Sequence, residues 1–461
     1  MGTAAPPTEE LPAAETAPPD PAISSQPWPS PRLAWYATVL FTLATMMNFF
    51  DIGIFGLMIQ SIKEDLALTD MQLGMLLGPA GVLFYVFVGI PLARLVDIYR
   101  RTTILGIGLL ITSGMTAVTG LIQTYGQLFF TRMCVGVGGS AHAPGTYSLL
   151  ADFFPPQRLP RAFGFLQLGF IFGAGLGVML GGILLGHVAG WAPTEVGPFS
   201  IRNWQWVLIW IAVPGLLIAF LIFLLPEPSR RGKIAAGKAL PLRAVFREIW
   251  NRRGVYFPLF IGLALSAIEA QGLIAWRAPF MIRTYGWTPQ QIAWWSGPIL
   301  IVAMMFGAFF GTWLTERLGK RHRDAPIRTT ALMFGLCIPF SVASPLMPTG
   351  ELAIVLGTLS GVFGIASGVP QNVAIQTITP NEMRGQVTAI YLFMFIAVGS
   401  LGSLLVSTVT TYFVGGEQYL WITMTIVPAA LLPLAVYAIA RGMKPYAREI
   451  ERMETGLQGI E

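Results

Sequence analysis

Four ionisable side chains stand inside long apolar stretches of this chain: Asp51, Arg132, His142 and Glu269. A carboxylate left alone in a membrane-length helix costs at least ~2.5 kcal/mol, so each needs a partner or a water-filled cavity. Asp51 lies about nine residues from the outer end of its stretch, and Arg132 about six from the outer end of its own, which is where that stretch begins. At 1.5 Å of rise per residue the two share a depth and can meet. An acid beside a fixed cation can take up a proton and change what it holds. Asp51, Glu269 and His142 are therefore the candidates for proton handling. The blander alternatives are a brace between two helices for Asp51 and Arg132, a packing residue for His142, and a structural partner of some arginine for Glu269.

Twelve apolar stretches must position these groups, each long enough to cross a bilayer, which takes about 20 helical residues. They are 34–59, 72–97, 102–123, 126–150, 161–187, 205–225, 256–282, 292–316, 328–347, 351–376, 385–413 and 419–440. They must be helices, because backbone polar groups in lipid need internal partners. Composition agrees: 54% of residues are hydrophobic and only 11% charged, less than half the charged share of a soluble domain. Interior polarity falls on spans 1, 4, 7 and 10, every third one, which describes a lined cavity. Gln271 and Arg277 follow Glu269 in span 7, and Gln371 and Asn372 follow Pro370 in span 10.

Basic residues gather in one set of loops: Arg100 and Arg101, Arg158 and Arg161, Arg317 to Arg323, and Arg384. The opposite loops hold little beyond Lys63, Arg202 and Arg283. The positive-inside rule then puts both termini and the basic loops in the cytoplasm. Confinement to these loops also removes the net charge of +6 as a nucleic-acid signal. The expected organisation is a disordered tail over 1–31, a six-helix bundle over 32–225, a basic linker over 226–254, a second bundle over 255–441, and a tail over 442–461. The first tail has nine prolines and no lysine or arginine, so it resembles no signal peptide. The linker reads as a segment attracted to anionic lipid.

The two bundles repeat each other. Asp97-Ile98-Tyr99-Arg100-Arg101 follows span 2 and Glu316-Arg317-Leu318-Gly319-Lys320-Arg321 follows span 8, 219 positions on. Pro155-Pro156-Gln157-Arg158 follows span 4 and Pro380-Asn381-Glu382-Met383-Arg384 follows span 10, 225 positions on. Two signals at nearly one offset imply a parallel repeat about an axis along the membrane normal, with a substrate site between the halves.

Other chemistry finds no support. Gly136-Val137-Gly138-Gly139 mimics a dinucleotide fingerprint, but it lies mid-helix, where small residues mean close packing. His142, His187 and His322 are far apart, with no ligand cluster, so no metal and no cofactor is expected. Cys134 and Cys337 form no disulfide framework. No phosphate loop or nucleophile triad is present, and no enzyme is expected.

These residues resemble the major facilitator superfamily from Arg32 to about Lys444. The segments after spans 2 and 8 look like its loop signature, with Ile98 and Arg100 departing from it in the first copy. The resemblance implies that Asp97, Arg101, Glu316 and Arg317 gate the transporter by latching the halves in the outward-open state. Arg132 and Gly136 match its span 4 signature. Within the superfamily, Asn48-Phe49-Phe50-Asp51, Ile62 to Gly74 and Gly145 to Pro155 look like the spinster-like group of lipid and lysolipid transporters. That likeness maps the group's span 1 acid onto Asp51 and its span 4 arginine onto Arg132. The group's relay glutamate falls on Gly139, and the arginine usual after the acid falls on Ile52, so Glu269 or His142 is the expected replacement.

The expectation is an all-α membrane protein of twelve transmembrane helices in two pseudo-symmetric bundles. It works as a proton-coupled secondary transporter of the inner membrane, and the superfamily likeness implies a monomer. Arg132 and Arg277 favour an organic anion. Trp276, Trp287, Trp294 and Trp295, with Tyr147 and Phe172, favour an apolar part, so the expected substrate is an amphipathic anion, such as a lysolipid or an aromatic or steroid-like acid. Arg132, Tyr147, Gln271, Trp276, Gln371 and Asn372 are the expected substrate contacts. An importer of small carboxylates or sugar acids and an uncoupled lipid facilitator remain as alternatives.

Overall fold

A computed structural model describes residues 28–197, 199–230, 242–380 and 383–458. The expected disordered tail, except 28–31, and the middle of the basic linker, 231–241, lie outside the described residues.

Spans 1 to 6 are Pro31–Leu66, Asp70–Leu77 continued by Pro79–Ile98, Arg101–Thr119, Tyr125–Ser140 continued by His142–Phe153, Leu159–Val188, and Asn203–Phe223. Spans 7 to 9 are Arg253–Tyr285, Pro289–Gly319 and Ala325–Ala343. Span 10 is Gly350–Ala366 continued by Gly368–Ile378, and span 11 is Arg384–Gly399 continued by Leu401–Thr408. Span 12 runs as one helix from Leu420 to Gln458, so the expected tail after 441 is largely an extension of it. Eleven of these are long and apolar enough to cross a membrane by composition. The other is span 4, whose Arg132 and His142 dilute its apolar character.

Short polar signals start the helices. Span 1 begins with Ser30 as cap and Pro31 in the first turn, where a missing N–H costs nothing. Spans 2, 4 and 8 each open with a threonine whose hydroxyl accepts from the N–H of a glutamine three residues on, while that glutamine reaches back: Thr69/Gln72, Thr124/Gln127 and Thr288/Gln291. These caps all lie on the face opposite the start of span 1. That face is called distal here, and the other proximal.

Glycines set how closely the spans approach. On span 5 a side chain at Gly169, Gly173, Gly177 or Gly181 would collide in turn with Thr42, Met46, Phe50 and Ile54 of span 1. Gly175, Gly182 and Gly186 press instead on Ile301, Ala293 and Gln290 of span 8, across the two halves. In span 4 Gly136 abuts the backbone of Gly81, and Gly138 that of Gly108, so this run does serve packing.

The apolar core divides by depth. One buried cluster joins both halves, with Ile54, Met58 and Trp204 on one side and Trp276, Val406 and Leu420 on the other. The other two stay within single halves, one around Phe41, Leu149 and Phe153, the other around Tyr256, Ile375 and Tyr446. The joining cluster belongs to the distal side and the separate ones to the proximal side. A short amphipathic helix, Leu242–Asn251, precedes span 7; it buries Val245 and Ile249 and exposes Phe246 and Trp250.

Candidate functional site

In the first half, span 1 carries Asp51 against spans 3 and 4. Arg132 Nη1 donates to Asp51 Oδ2 at 3.0 Å, and the Thr116 hydroxyl donates to Oδ1 at 2.8 Å. Arg132 Nη2 donates to Thr119 at 3.1 Å, and the guanidinium lies 4.4 Å from the centre of the Phe55 ring. Asp51 is 5% exposed and Arg132 6%. Arg132 Nε has no hydrogen-bond partner among the described residues. Breaking a buried pair of this kind leaves a charge uncompensated, so the two side chains act as one unit.

His142 follows the break in span 4 and lies beside span 1, its Nε2 2.7 Å from the Thr45 hydroxyl. The Thr45 hydroxyl oxygen also lies 2.9 Å from the Phe41 carbonyl oxygen, so its one proton has two acceptors within reach. Either group can be the donor, and which one is depends on the imidazole tautomer; Nδ1 is buried and has no hydrogen-bond partner among the described residues. A side chain at Gly139 would come 3.5 Å from Asn48 Oδ1 and 3.9 Å from Tyr85, without a clash.

The second half repeats this geometry with one change. Glu269 of span 7, 7% exposed, accepts from the Ser341 hydroxyl of span 9 at 2.8 Å. Span 10 offers no arginine. Position 357, which matches Arg132 at the 225-residue offset, is glycine, and Arg277 Nη2 reaches from span 7 to the Gly357 carbonyl at 3.3 Å. Glu269 and Arg277 line one cavity of about 210 Å³.

The other expected contacts are scattered. Gln371 is buried, donating to Ser367 Oγ at 2.5 Å and accepting from the Tyr391 hydroxyl at 3.0 Å. Asn372 donates to the Gly368 carbonyl at 2.9 Å. Trp276 is fully buried, its Nε1 donating to the Ser403 carbonyl at 2.9 Å. Tyr147 is half-exposed and stands edge-on to Phe163. Gln271 is half-buried with its side chain near Gly399.

Of the expected gating residues, the Asp97 side chain lies outside what is described. Arg101 is buried within the first half. It donates to Glu227 at 2.8 Å and to Ser148 Oγ at 3.0 Å, and pairs with Asp152. Glu316 and Arg317 are exposed, Arg317 lying 5.4 Å from the centre of the Trp313 ring. Among the described residues neither has an ion pair.

Sequence reasoning passed over a cluster that does join the halves. Asp70, at the distal start of span 2, accepts from Lys63 at 2.8 Å and from both Nη atoms of Arg283 at 2.8 and 2.9 Å. Glu417 pairs with Lys63 and stands 4.0 Å from Arg283, which also donates to Gln60 at 3.1 Å. Below it, Ser403 donates to the Gly74 carbonyl at 2.8 Å, and side chains at Gly74 or Gly78 would strike Ser407, Ser403 and Ser400. The one signal was that the few charges of the distal loops are of both signs. The distal face is therefore closed by ions and glycines together, while the two halves lack a shared core on the proximal side.

Known proteins are similar to this chain in sequence and in fold. The chain is 25% identical over 380 residues to an MFS-type efflux pump of Mycolicibacterium smegmatis, covering 82% of this chain and 84% of the relative. It is 25% identical over 369 residues to the 3-(3-hydroxy-phenyl)propionate transporter of Escherichia coli, covering 78% and 82%. Its fold superposes on the crystal structure of a bacterial homolog to the human lysosomal transporter Spinster, in the inward-facing and unoccupied conformation. The TM-score is 0.75 with 23% identity, over 92% of this chain and 98% of that one. A match to the Major Facilitator Superfamily covers residues 41–403, and the chain belongs to this superfamily of membrane transporters.

Proposed function

We propose that this transporter carries an amphipathic organic acid across the cell inner membrane by alternating access, coupled to protons through Asp51. The observation that carries the reading is the buried Asp51–Arg132–Thr116 unit. Ionised Asp51 holds Arg132; a proton on Oδ2 removes the charge that does so, and spans 1, 3 and 4 must repack. Protonation thereby biases the equilibrium between the two rocking states of the halves. Glu269 and His142 are the proposed secondary proton sites, His142 through its Nδ1, which has no hydrogen-bond partner among the described residues.

The basic loops support both chain ends in the cytoplasm, so the closed distal face is the outer one and this state opens inward. Asp97, Arg101, Glu316 and Arg317 belong to the proximal side and are proposed to act when that side closes. Arg132, Tyr147, Gln271, Trp276, Gln371 and Asn372 are proposed to form or brace the substrate path. The arylpropionate transporter among the relatives supports an acid with an apolar body. The protein is proposed to act as a monomer.

The test is proton release when a panel of amphipathic acids is added to purified protein, wild type against Asp51→Asn. Release in wild type that vanishes in the variant is expected. Equal binding with no release in either would overturn coupling through Asp51. An uncoupled facilitator is the second reading, favoured by Gly139, which leaves the space beside Asn48 and Tyr85 without an acid. Uptake indifferent to a pH gradient would move it to first place.

A further inference from the structure

The two halves match residue by residue around their span-one acids, and they differ where a ligand would sit. Asp51 and Thr116 correspond to Glu269 and Ser341, each pair joined by a hydrogen bond of 2.8 Å. Arg132 corresponds to Gly357. In the first half the guanidinium meets the carboxylate and is consumed by it. In the second half Arg277 comes from two turns further along span 7, about 12 Å of rise from Glu269. Among the described residues no carboxylate stands within 4 Å of Arg277, and its one described hydrogen bond uses one of five donors. The space between is the 210 Å³ cavity, walled mainly by apolar side chains such as Leu273, Phe280, Met281 and Ile354.

We infer that this cavity is a carboxylate subsite: Arg277 binds the acid group of a short aryl- or alkyl-carboxylic acid whose body fills the space toward Glu269 and Ser341. The inference rests on the organic-acid reading above and makes Arg277, rather than Arg132, the anchor of the anion. Size sets the class. A cavity of 150 Å³ lined by apolar groups holds a benzene ring, so 210 Å³ admits a ring and a short acidic arm but not a long acyl chain. Polarity sets the orientation. A guanidinium prefers a carboxylate in a two-point fork, and Glu269 and Ser341 at the other end suit a hydroxyl or a bare ring edge. The Gly357 position makes room for the arrangement, since a side chain there would come 3.6 Å from Arg277 Nη2 and 3.0 Å from Ser344 Oγ.

The test is calorimetric binding of 3-phenylpropionate to the purified full chain, with 3-phenylpropanamide and a lauroyl lysophosphatidate as comparisons. Two variants are used. Arg277→Gln removes the anchor. Gly361→Leu fills the cavity from its wall, at a position where a new Cβ meets nothing within 4 Å, so the fold tolerates it. Wild type is expected to bind the acid at least tenfold more tightly than the amide, and each variant to lose roughly tenfold or more, as loss of a charge-assisted bond or of the space requires. The lysolipid is expected not to compete. Unchanged affinity in both variants, equal binding of acid and amide, or full displacement by the lysolipid would each overturn the subsite while leaving acid transport standing. Wild type that neither binds nor transports any acid of the panel would remove the transport reading and this inference together.

Discussion

Asp51 and Glu269 hold matching places in the two halves, 218 positions apart, and each accepts a hydroxyl hydrogen bond from the third span of its own half. Only Asp51 also has a guanidinium at 3.0 Å. The same fold therefore holds one acid in an ion pair and the other in a hydrogen bond from an uncharged hydroxyl.

That contrast separates two substitutions. Asp51→Asn leaves Arg132 buried beside an uncharged amide, a loss of about 3–5 kcal/mol. Glu269→Gln keeps an acceptor for Ser341 and costs about 1 kcal/mol or less. Thermal unfolding in detergent micelles should show the first variant melting well below the second. Adding Arg132→Gln to Asp51→Asn should recover much of the difference, because no buried charge is then left over. A double variant no more stable than Asp51→Asn would mean the pair does not act as a unit.

The distal closure makes a prediction about conformation. Asp70 is buried and is the acceptor for both Lys63 and Arg283, so Asp70→Asn leaves those cations short of an anion and weakens the closed state by about 3 kcal/mol. A cysteine at Ser407, in a chain with Cys134 and Cys337 replaced by serine, reports the seam, because Ser407 lies where a side chain on Gly74 would strike. A membrane-impermeant maleimide should label it much faster in the Asp70→Asn background. Added salt should raise labelling in wild type as well, since Glu417 is half-exposed and its contacts are screened.

A third prediction concerns pH. Glu227 lies past the end of span 6, outside the membrane. Burial pushes its carboxyl up, but Arg101 and the N–H and hydroxyl of Thr102 outweigh that and hold it below its ordinary value of 4.5. A depressed folded value means the tie stabilises the protein above the unfolded value and is lost as pH falls through the folded one. The melting temperature should therefore drop as pH is lowered past 4.5, and Glu227→Gln should flatten that part of the curve. An identical acid limb in the variant would exclude Glu227 as a contributor.

What could be read from the sequence follows from how local each signal is. The spans were legible because each is a continuous apolar run with a cap, and even span 4 was placed although its charges keep it from standing out by hydropathy. Asp51 and Arg132 were legible because depth along a helix is arithmetic. Lys63, Asp70, Arg283 and Glu417 were not, since they come from separate span ends and meet only when the halves close. Arg101 resembles a gating residue by motif, yet its partners Ser148 and Asp152 lie within its own half and Glu227 just past it, 47 to 126 positions away in sequence. The role of Gly357 needed both the repeat offset and the position of Arg277, and only the first is in the sequence.

Span 5 uses two glycine faces, and they should fail differently. Gly177 packs on the backbone of Phe50, one residue from Asp51, within a contact that both transport states keep because it lies inside one half. Gly177→Leu overfills it, a cost of about 1–3 kcal/mol, and should lower the melting temperature. Gly182 instead faces Ala293 and the Pro289 carbonyl of span 8, across the seam where the halves rock. Gly182→Leu obstructs the closed distal state and not the fold of either half. It should leave each half folded, speed labelling at a Ser407 cysteine, and lower transport. If both variants simply melted early with unchanged labelling, the span 5 and span 8 contact would be part of a fixed core and not a moving surface.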